Sequence, residues 1–307
     1  MARHPILLDC DPGQDDAVAI LLALAAEDAL ETIALTTVAG NVPLDRTTDN
    51  ALRLVELAGA EVPVHAGADR PLLRPLVTAE QVHGPTGIDG ADLPPTGRRP
   101  AAGHAACALV DAIRSRPPAS VTLVATGPLT NLALAFRLAP DLPGRLRRVA
   151  IMGGAIGLGN VTPAAEFNFH VDPHAARIVF ESGADIVLFP LDVTHQVRVT
   201  EERLARIRAV GNPAARAVAG MLAFYRGRNP EGGPPQAPLH DPCPVAWLLE
   251  PQLFRGRRAE VTIETDSPLG LGRSYVDFRS ADPNALVMEQ ADAEGLFALL
   301  CARLARL

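Results

Sequence analysis

The sequence predicts an α/β fold: a mainly parallel central sheet flanked by helices, as in Rossmann-like open sheets, with extra β elements near the C-terminus. Short runs rich in Val, Ile, Leu and Thr alternate with helix-like runs over the first two-thirds of the chain. This β-α-β rhythm is typical of parallel sheets covered by helices. At 307 residues, 48% of them hydrophobic, the chain can bury a large core. No linker, repeat or low-complexity tract interrupts it, so we expect residues 1–307 to form a single domain.

The individual elements follow from local composition and periodicity. Strands are predicted at Ile6–Asp9, Thr32–Val38, Val62–Ala66, Ser120–Ala125, Arg148–Met152 and Asp185–Pro190. Helices are predicted at Ala17–Ala26, Thr47–Leu57, Ala105–Arg114, Leu129–Leu138 and Pro173–Ser182. After residue 255 the pattern is richer in β structure, at Ala259–Glu264, Ser274–Phe278 and Ala285–Glu289, and a helix from about Asp292 closes the chain.

Two loops interrupt the alternation, at residues 71–100 and 226–240. The first contains six prolines, and the second contains the run Gly-Arg-Asn-Pro-Glu-Gly-Gly-Pro-Pro. Long loops in compact domains are usually functional or disordered. Both loops are therefore candidate lids.

Composition excludes several functional classes. The net charge is −7 and no basic stripe is present, which argues against a nucleic-acid surface. No apolar stretch is long enough to cross a bilayer, and no charged leader precedes an apolar core at the N-terminus. The four cysteines are scattered without CxxC spacing, so we expect reduced core residues in a cytoplasmic protein.

Four aspartates lie within eight residues, between the first predicted strand and the first predicted helix: Asp9, Asp11, Asp15 and Asp16. Like charges this close repel one another, and burial beside a strand would increase the cost. A hard cation such as Ca²⁺ or Mg²⁺ would remove the conflict, because it prefers carboxylate oxygens. The alternative is that these residues cap the helix or lie in solvated turns, which fits one or two of them but not four. The cluster therefore predicts a metal or polyol site.

Further polar groups follow later strands, at the carboxyl ends where parallel sheets place their sites. Asn41 follows one strand, Thr126 another, and the glycine-rich run from Met152 to Asn160 a third, continuing to Glu166 and Asn168. Glycine permits close approach of a ligand to the backbone, and Asn and Glu suit sugar hydroxyls. Alternatively, the glycines only turn the chain.

Two histidines lie in or beside the candidate lids. His240 precedes Asp241 and Pro242 at the start of an apolar helix, and His83 lies in the first loop. A histidine beside a carboxylate suits acid–base chemistry. Equally, Asp241 can be an N-cap, with Pro242 at the first helical position.

These motifs together resemble the ribonucleoside hydrolases, the inosine–uridine-preferring family. The segment Asp9-Cys-Asp-Pro-Gly-Gln-Asp-Asp-Ala resembles the family's N-terminal signature and is highly specific. Segments resembling those of the family follow in the same order: Thr36-Thr-Val-Ala-Gly-Asn41, Thr126-Gly-Pro-Leu-Thr-Asn131, Met152-Gly-Gly, Glu166-Phe-Asn168 and His240-Asp-Pro. The likeness spans about residues 5–250 and continues weakly to the end.

The resemblance implies an activity, a cofactor and roles for individual residues. The activity is hydrolysis of a ribonucleoside to ribose and free base, with a homodimer or homotetramer as the assembly. Ca²⁺ would be held by Asp11, Asp16, the Thr126 carbonyl and Asp241, with Asp11 also the general base acting on a Ca²⁺-bound water. The residues implied to contact the ribose are Asp15, Asn41, Asn160, Glu166 and Asn168. His83 and Tyr225 are expected at the nucleobase, and Met152 is a further expected substrate contact. His240 is implied to be the proton donor to the departing base.

The chain departs from the family pattern before the His-Asp-Pro motif. Some members carry extra tyrosines there, whereas Arg226–Leu239 contains no aromatic residue beyond the preceding Tyr225. The run Pro238-Leu-His-Asp-Pro-Cys-Pro-Val-Ala-Trp247 is more similar to the pyrimidine-preferring branch.

Two other interpretations of the sequence compete with a ribonucleoside hydrolase. A haloacid-dehalogenase-like phosphatase also places Asp-x-Asp after its first strand, where the first Asp attacks phosphorus. The Asp15-Asp16 pair and the missing lysine motif count against it. A binding relative without turnover would keep the Ca²⁺ pocket, but the presence of Asp11, Asp16, Asn168 and Asp241 together counts against that loss.

Overall fold

The computed structural model describes residues 3–227 and 237–307. Within these ranges the strands are β1 His4–Cys10, β2 Leu30–Thr37, β3 Val64–Ala66, β4 Thr122–Ala125, β5 Arg148–Met152, β6 Ile186–Phe189, β7 Arg198–Val199, β8 Ala237–Pro238, β9 Phe254–Ile263, β10 Ser274–Asp277 and β11 Ala285–Ala291. The helices are α1 Gln14–Leu24, α2 Leu44–Leu57, α3 Glu80–His83, α4 Ala105–Arg114, α5 Thr130–Leu138, α6 Leu142–Arg145, α7 Phe167–Val171, α8 Pro173–Phe180, α9 Leu191–Thr194, α10 Glu201–Val210, α11 Pro213–Gly227, α12 Pro242–Leu249 and α13 Ala293–Leu304.

Across the described residues, nine strands form one sheet in the order β10-β9-β11-β6-β5-β4-β1-β2-β3. Neighbouring strands pair in parallel along the run β3-β2-β1-β4-β5-β6-β11. At the other edge, β9 pairs antiparallel with both β11 and β10. The predicted α/β class, with extra β elements near the C-terminus, is confirmed.

Strand order explains where a site can form. The chain adds β2 and β3 on one side of β1, then returns so that β4 pairs with its other side. This reversal is a topological switch point, and open α/β sheets bind ligands in the crevice beyond the carboxyl ends of the strands there. The segments that follow β1 and β4 carry Asp11 and Thr126.

The sheet separates two apolar cores. Because successive side chains of a strand point to opposite faces, Ile6 and Leu8 of β1 pack in one core and Leu7 in the other. Both faces of β1 are buried, as expected for a central parallel strand. Helix α1 is buried along its whole length and contacts α2, α11 and α12. The turn before α1 is thus held rigidly.

Several local expectations need correction. Residues 201–227, which received no helix prediction, form α10 and α11, and the 71–100 loop contains the short helix α3. Cys107 is exposed and not a core residue, although all four cysteines are free. Of the second candidate lid, residues 228–236 lie outside the described residues. No helix in the described part of the chain is long and apolar enough to cross a membrane.

Candidate active site

The aspartate cluster forms at the turn from β1 into α1. β1 ends at Cys10, and α1 begins at Gln14, so Asp15 and Asp16 lie in its first turn. Asp16 Oδ2 accepts the Gly13 N–H at 3.1 Å and so caps the helix. Asp9 lies apart: its Oδ1 accepts from Thr36 Oγ1 at 2.5 Å and from Asn131 Nδ2 at 2.8 Å. The capping role expected for one or two of the aspartates thus falls to Asp16.

Asp241 joins this cluster from the start of α12. The carboxylates of Asp15, Asp16 and Asp241 each offer an oxygen, and these oxygens lie within 4.8 Å of one another. Asp241 is at the N-cap position, with Pro242 as the first helical residue, but its side chain makes no capping hydrogen bond. The N-cap expectation is therefore right in position and wrong in function, because the carboxylate faces the other aspartates.

The donor set fits a hard cation. Among the described residues, Asp11 Oδ1 and Asp15 Oδ1 are buried and have no hydrogen-bond partner. Leaving such charged oxygens uncompensated is costly. Burial raises the pKa of Asp15 to about 7, and burial together with the charge of Asp16 raises the pKa of Asp11 well above its usual range. A cation among these oxygens would compensate both the buried charge and the repulsion.

Backbone and amide groups fix the orientation of the carboxylates. The Asn41 backbone N–H donates to Asp11 Oδ2 at 2.7 Å, and the Asn41 amide donates to Asp16 Oδ2 at 3.1 Å. Thr126 Oγ1 donates to Asp16 Oδ1 at 2.8 Å. The ends of β1, β2 and β4 are thereby joined around one point.

Two glycines of the predicted motifs pack directly against Asp11. A Cβ on Gly40 would lie 2.1 Å from Asp11 Oδ2, and one on Gly127 would lie 2.6 Å from Asp11 Oδ1. Neither distance is possible between non-bonded atoms without a shift. These glycines therefore allow close approach as expected, but the group that approaches them is a carboxylate of the protein itself.

Glu166 and Asn168 form a second polar arm after β5. Glu166 is buried at the N-cap of α7 and accepts backbone N–H groups of Gly154, Asn168 and Phe169 at 2.8–3.2 Å. Burial raises its pKa to about 7. The Asn168 amide donates to the carbonyl of Thr126 at 2.8 Å and to that of Met152 at 3.2 Å. This arm thus contacts the residue that follows β4.

A cavity of about 430 Å³ opens over the cluster. The sequence-predicted residues that line it are Asp15, Asn41, His83, Thr126, Met152, Asn160, Glu166, Asn168, Tyr225, His240 and Asp241. Asp11 and Asp16 do not line it but bond to Asn41 and Thr126, which do. Asn160 is exposed at its rim, where Oδ1 accepts the Phe167 N–H at 3.0 Å. All of the predicted site residues therefore converge on one place.

Aromatic rings and histidines also line the cavity. The His83 and Tyr225 rings stack with centroids 5.5 Å apart and planes 18° apart. Burial lowers the pKa of His83 to about 4. The rings of His195 and His240 lie 5.6 Å apart, and burial, followed by the charge of His195, lowers the pKa of His240 well below its usual range. The cavity wall thus offers flat ring faces, and burial favours the neutral forms of His83 and His240.

Three contributors were missed from sequence. Gln14 Oε1 accepts from His83 Nδ1 at 2.7 Å, and Gln14 Nε2 donates to the His83 carbonyl at 2.8 Å, so Gln14 holds that histidine. Thr194 bonds to His240, and His195 lines the cavity. Thr194 and His195 follow a predicted strand, as the other site residues do, and that position was the available signal.

An α/β sheet with an acidic, cation-competent cavity at its switch point defines an enzyme-like site. The family model described as "Inosine-uridine preferring nucleoside hydrolase" matches residues 6–298. A pyrimidine-specific ribonucleoside hydrolase RihA of Shewanella woodyi is 47% identical over 307 residues, covering 98% of each chain.

Solved structures agree. A plant nucleoside hydrolase, PpNRh1, superposes with a TM-score of 0.92 at 33% identity, covering 99% of each chain. A purine-preferring ribonucleoside hydrolase from Gardnerella vaginalis superposes with a TM-score of 0.91 at 29% identity, covering 98% of each chain. The chain belongs to the inosine–uridine-preferring nucleoside hydrolase family. It is an enzyme, a ribonucleoside hydrolase that acts on N-glycosidic bonds, which excludes the phosphatase alternative.

Proposed function

We propose that the protein is a Ca²⁺-dependent hydrolase that cleaves ribonucleosides, with a preference for pyrimidines, to ribose and free base in nucleoside salvage. The observation that carries the proposal is the group of buried carboxylates of Asp15, Asp16 and Asp241 beside a cavity of about 430 Å³, with the buried Asp11 linked to Asp16 through Asn41. The family membership supplies the reaction class, and the side chains supply the roles below.

The cation site would use Asp11, Asp16, Asp241 and the Thr126 carbonyl. Asp15 belongs to the tightest carboxylate group and also lines the cavity, so it reaches both the site and a ribose hydroxyl. Carboxylate and carbonyl oxygens favour calcium over softer metals. When bound, the ion supplies positive charge that acidifies a neighbouring water and holds the ribose 2′- and 3′-hydroxyls.

Asp11 would accept the proton of the attacking water. Its Oδ2 is held by the Asn41 N–H, whereas Oδ1 has no hydrogen-bond partner among the described residues. A bound cation would keep Asp11 ionised, and an ionised carboxylate beside the attacking water can take its proton. Asp11 is thus oriented at one oxygen and available at the other.

Glu166, Asn168 and Asn160 would hold the sugar. N-glycoside hydrolysis passes through an oxocarbenium-like ribose, as O-glycoside hydrolysis does. Preorganised carboxylate and amide oxygens stabilise that developing positive charge. The backbone donors that surround Glu166 fix its position before the substrate arrives.

The leaving base would lie against His83 and Tyr225, with His240 as hydrogen donor. Stacked rings offer a flat, apolar face to a base. The departing base gains negative charge, and a donor helps most when the base is a poor leaving group. The relative named pyrimidine-specific supports the pyrimidine preference. A purine-preferring protein shares the fold, so the fold alone does not set base choice. We infer that the residues around His83, Tyr225 and His240 set it.

The wider setting is also proposed. We infer one domain over residues 1–307, a homodimer or homotetramer, and a cytoplasmic location. The sheet that runs through both halves of the described chain supports the first of these. The free cysteines are compatible with a reducing compartment.

A substrate panel tests the function. Uridine, cytidine, inosine and adenosine are assayed for released reducing sugar, with and without a chelator. We expect hydrolysis, fastest for the pyrimidine ribonucleosides, and its loss on chelation. Tight uridine binding without ribose release in the presence of Ca²⁺ would instead support the binding relative without turnover. Unchanged rates in chelator would reject the calcium requirement alone.

A further inference from the structure

The one-turn helix α9 follows β6, and the proposed mechanism assigns no role to its residues. Its last residue, Thr194, is fully buried. Thr194 Oγ1 lies 2.6 Å from Nδ1 of His240, which is 46 residues away in sequence. The next residue, His195, lines the cavity itself.

We propose that Thr194 is a positioning residue that fixes the tautomer of His240, with the ring proton on Nε2 facing the leaving nucleobase. The proposal rests on the proposed function and deepens it. It assigns to α9 the orientation of the group that assists departure of the base.

The hydroxyl of Thr194 has one proton and two acceptors within reach. One is the carbonyl of Leu191 at 3.4 Å, which already accepts the backbone N–H of His195 at 2.8 Å. The other is His240 Nδ1 at 2.6 Å, a short hydrogen bond. In the opposite arrangement, Nδ1–H would donate to Oγ1, and the hydroxyl would be left with the Leu191 carbonyl at 3.4 Å, beyond the usual O–H···O range. We therefore assign the hydroxyl proton to the bond with Nδ1.

The acceptor role of Nδ1 decides the other nitrogen. In a neutral imidazole one nitrogen carries the proton and the other accepts, so an accepting Nδ1 places the proton on Nε2. Within the described part of the chain, Thr194 provides the one hydrogen bond to the His240 ring, and that ring lines the cavity. Nε2–H can donate to a base that gains negative charge, whereas the other tautomer would present a lone pair and repel it.

The same helix also holds the sugar side of the site. Asp192 accepts the backbone N–H groups of Ile156 at 2.6 Å and of Gly157 at 3.2 Å, in the loop that leads to Asn160. α9 thus fixes a ribose-side loop through Asp192 and a base-side histidine through Thr194. Its closed first turn, begun at Pro190, gives both side chains a rigid support.

Paired substitutions test the hydroxyl. Thr194→Val removes it at nearly constant volume, and Thr194→Ser keeps it. We expect Thr194→Val to lower kcat on uridine by roughly tenfold. This loss is smaller than the 10²–10⁴-fold that a complete acid–base group contributes, because His240 itself remains. KM should change little, and Thr194→Ser should restore kcat to about the wild-type value. Thr47→Val is the matched control, because Thr47 is equally buried and bonds to its own i−3 carbonyl, Leu44, at 3.1 Å.

Three results would overturn the proposal in this assay. They are full uridine activity in Thr194→Val, equal losses in the Val and Ser variants, and equal losses on uridine and p-nitrophenyl riboside. The last substrate releases a stable anion that needs little help from a donor, so its rate should fall less than that of uridine. In addition, Thr194→Val should lower kcat little further in the His240→Ala background. Such non-additivity of the two kcat losses indicates that one residue acts through the other.

A measurement without turnover separates this proposal from the proposed function. ¹⁵N-histidine labelling reports which ring nitrogen carries the proton, and the His240 signals are assigned by their loss in His240→Asn. We expect the proton on Nε2 in the wild type and a changed Nδ1 signal in Thr194→Val. A proton on Nδ1 in the wild type would overturn the assignment. If no ribonucleoside is hydrolysed, the proposed function fails, and the ¹⁵N spectrum still decides the role of Thr194.

Discussion

Gly40→Ala is expected to disable the enzyme without unfolding it. The new Cβ would lie 2.1 Å from Asp11 Oδ2 and 2.9 Å from Pro128 Cδ, whereas ordinary contacts begin near 3.4 Å. Asp11 must therefore move by about 1.3 Å, from 2.1 to 3.4 Å, unless the turn itself moves. A misplacement of about 1 Å in a reacting group costs on the order of 100-fold in rate, or about 2.7 kcal/mol.

The assay is kcat/KM for ribose release from uridine at saturating Ca²⁺, with circular dichroism and the melting temperature as checks of folding. Overpacking costs about 1–3 kcal/mol of stability, so the variant should remain folded. Gly144→Ala is the control, because a Cβ there meets nothing within 4 Å. A folded Gly40→Ala protein with activity within about threefold of wild type would refute the packing argument, since a 100-fold loss is expected.

Three further outcomes are expected. Asp11→Asn should lower kcat by about 10²–10⁴-fold with the fold intact, because it removes the base; near-normal ribose release would remove Asp11 from the mechanism. His240→Ala should impair uridine hydrolysis more than hydrolysis of p-nitrophenyl riboside, and equal losses would reject its donor role. Burial raises the pKa of Asp15 to about 7 in the metal-free folded state. Between the usual pKa of an aspartate and 7, the folded state therefore binds more protons than the unfolded state. The stability of the metal-free protein falls as pH rises through that window. The gain in melting temperature from Ca²⁺ should therefore be larger at pH 8 than at pH 5, and an equal gain at both would contradict this linkage.

The parallel part of the fold could be predicted from the sequence because each of its strands shows a local run of apolar residues. The predicted strand Ile6–Asp9 lies within β1, and Arg148–Met152 coincides with β5. The two-residue strands β7 and β8 carry no periodicity, since a pattern needs several residues to repeat. Helix α10 is rich in charged residues, with few apolar positions to mark a buried face, so local composition did not reveal it.

The site was predictable where its chemistry is concentrated in one segment. Four aspartates in eight residues are a local conflict that sequence alone exposes. Local rules alone predict only an N-cap for Asp241, and its place beside the other aspartates was implied by the family resemblance, because that place depends on α12 packing against α1, a contact between distant segments. The N-cap position satisfied a local rule, but tertiary packing turned the carboxylate toward Asp15 and Asp16.

The residues that support the site were the hardest to predict from the sequence. Gln14 and His83 are 69 residues apart, and no local pattern links them. Gly40 and Gly127 were expected to admit a ligand, whereas they admit the Asp11 carboxylate. Such contacts depend on which strand ends meet, and strand order is a property of the whole sheet.

Calcium binding and turnover, measured on the same samples, test the central claim most directly. Protein stripped of metal, with removal verified by elemental analysis, is titrated with Ca²⁺ while ribose release from uridine is followed. We expect no turnover in stripped protein, full recovery at one ion per chain, and neither binding nor recovery in Asp16→Asn. Full turnover in verified metal-free protein, or recovery in Asp16→Asn equal to that of wild type, would contradict the account.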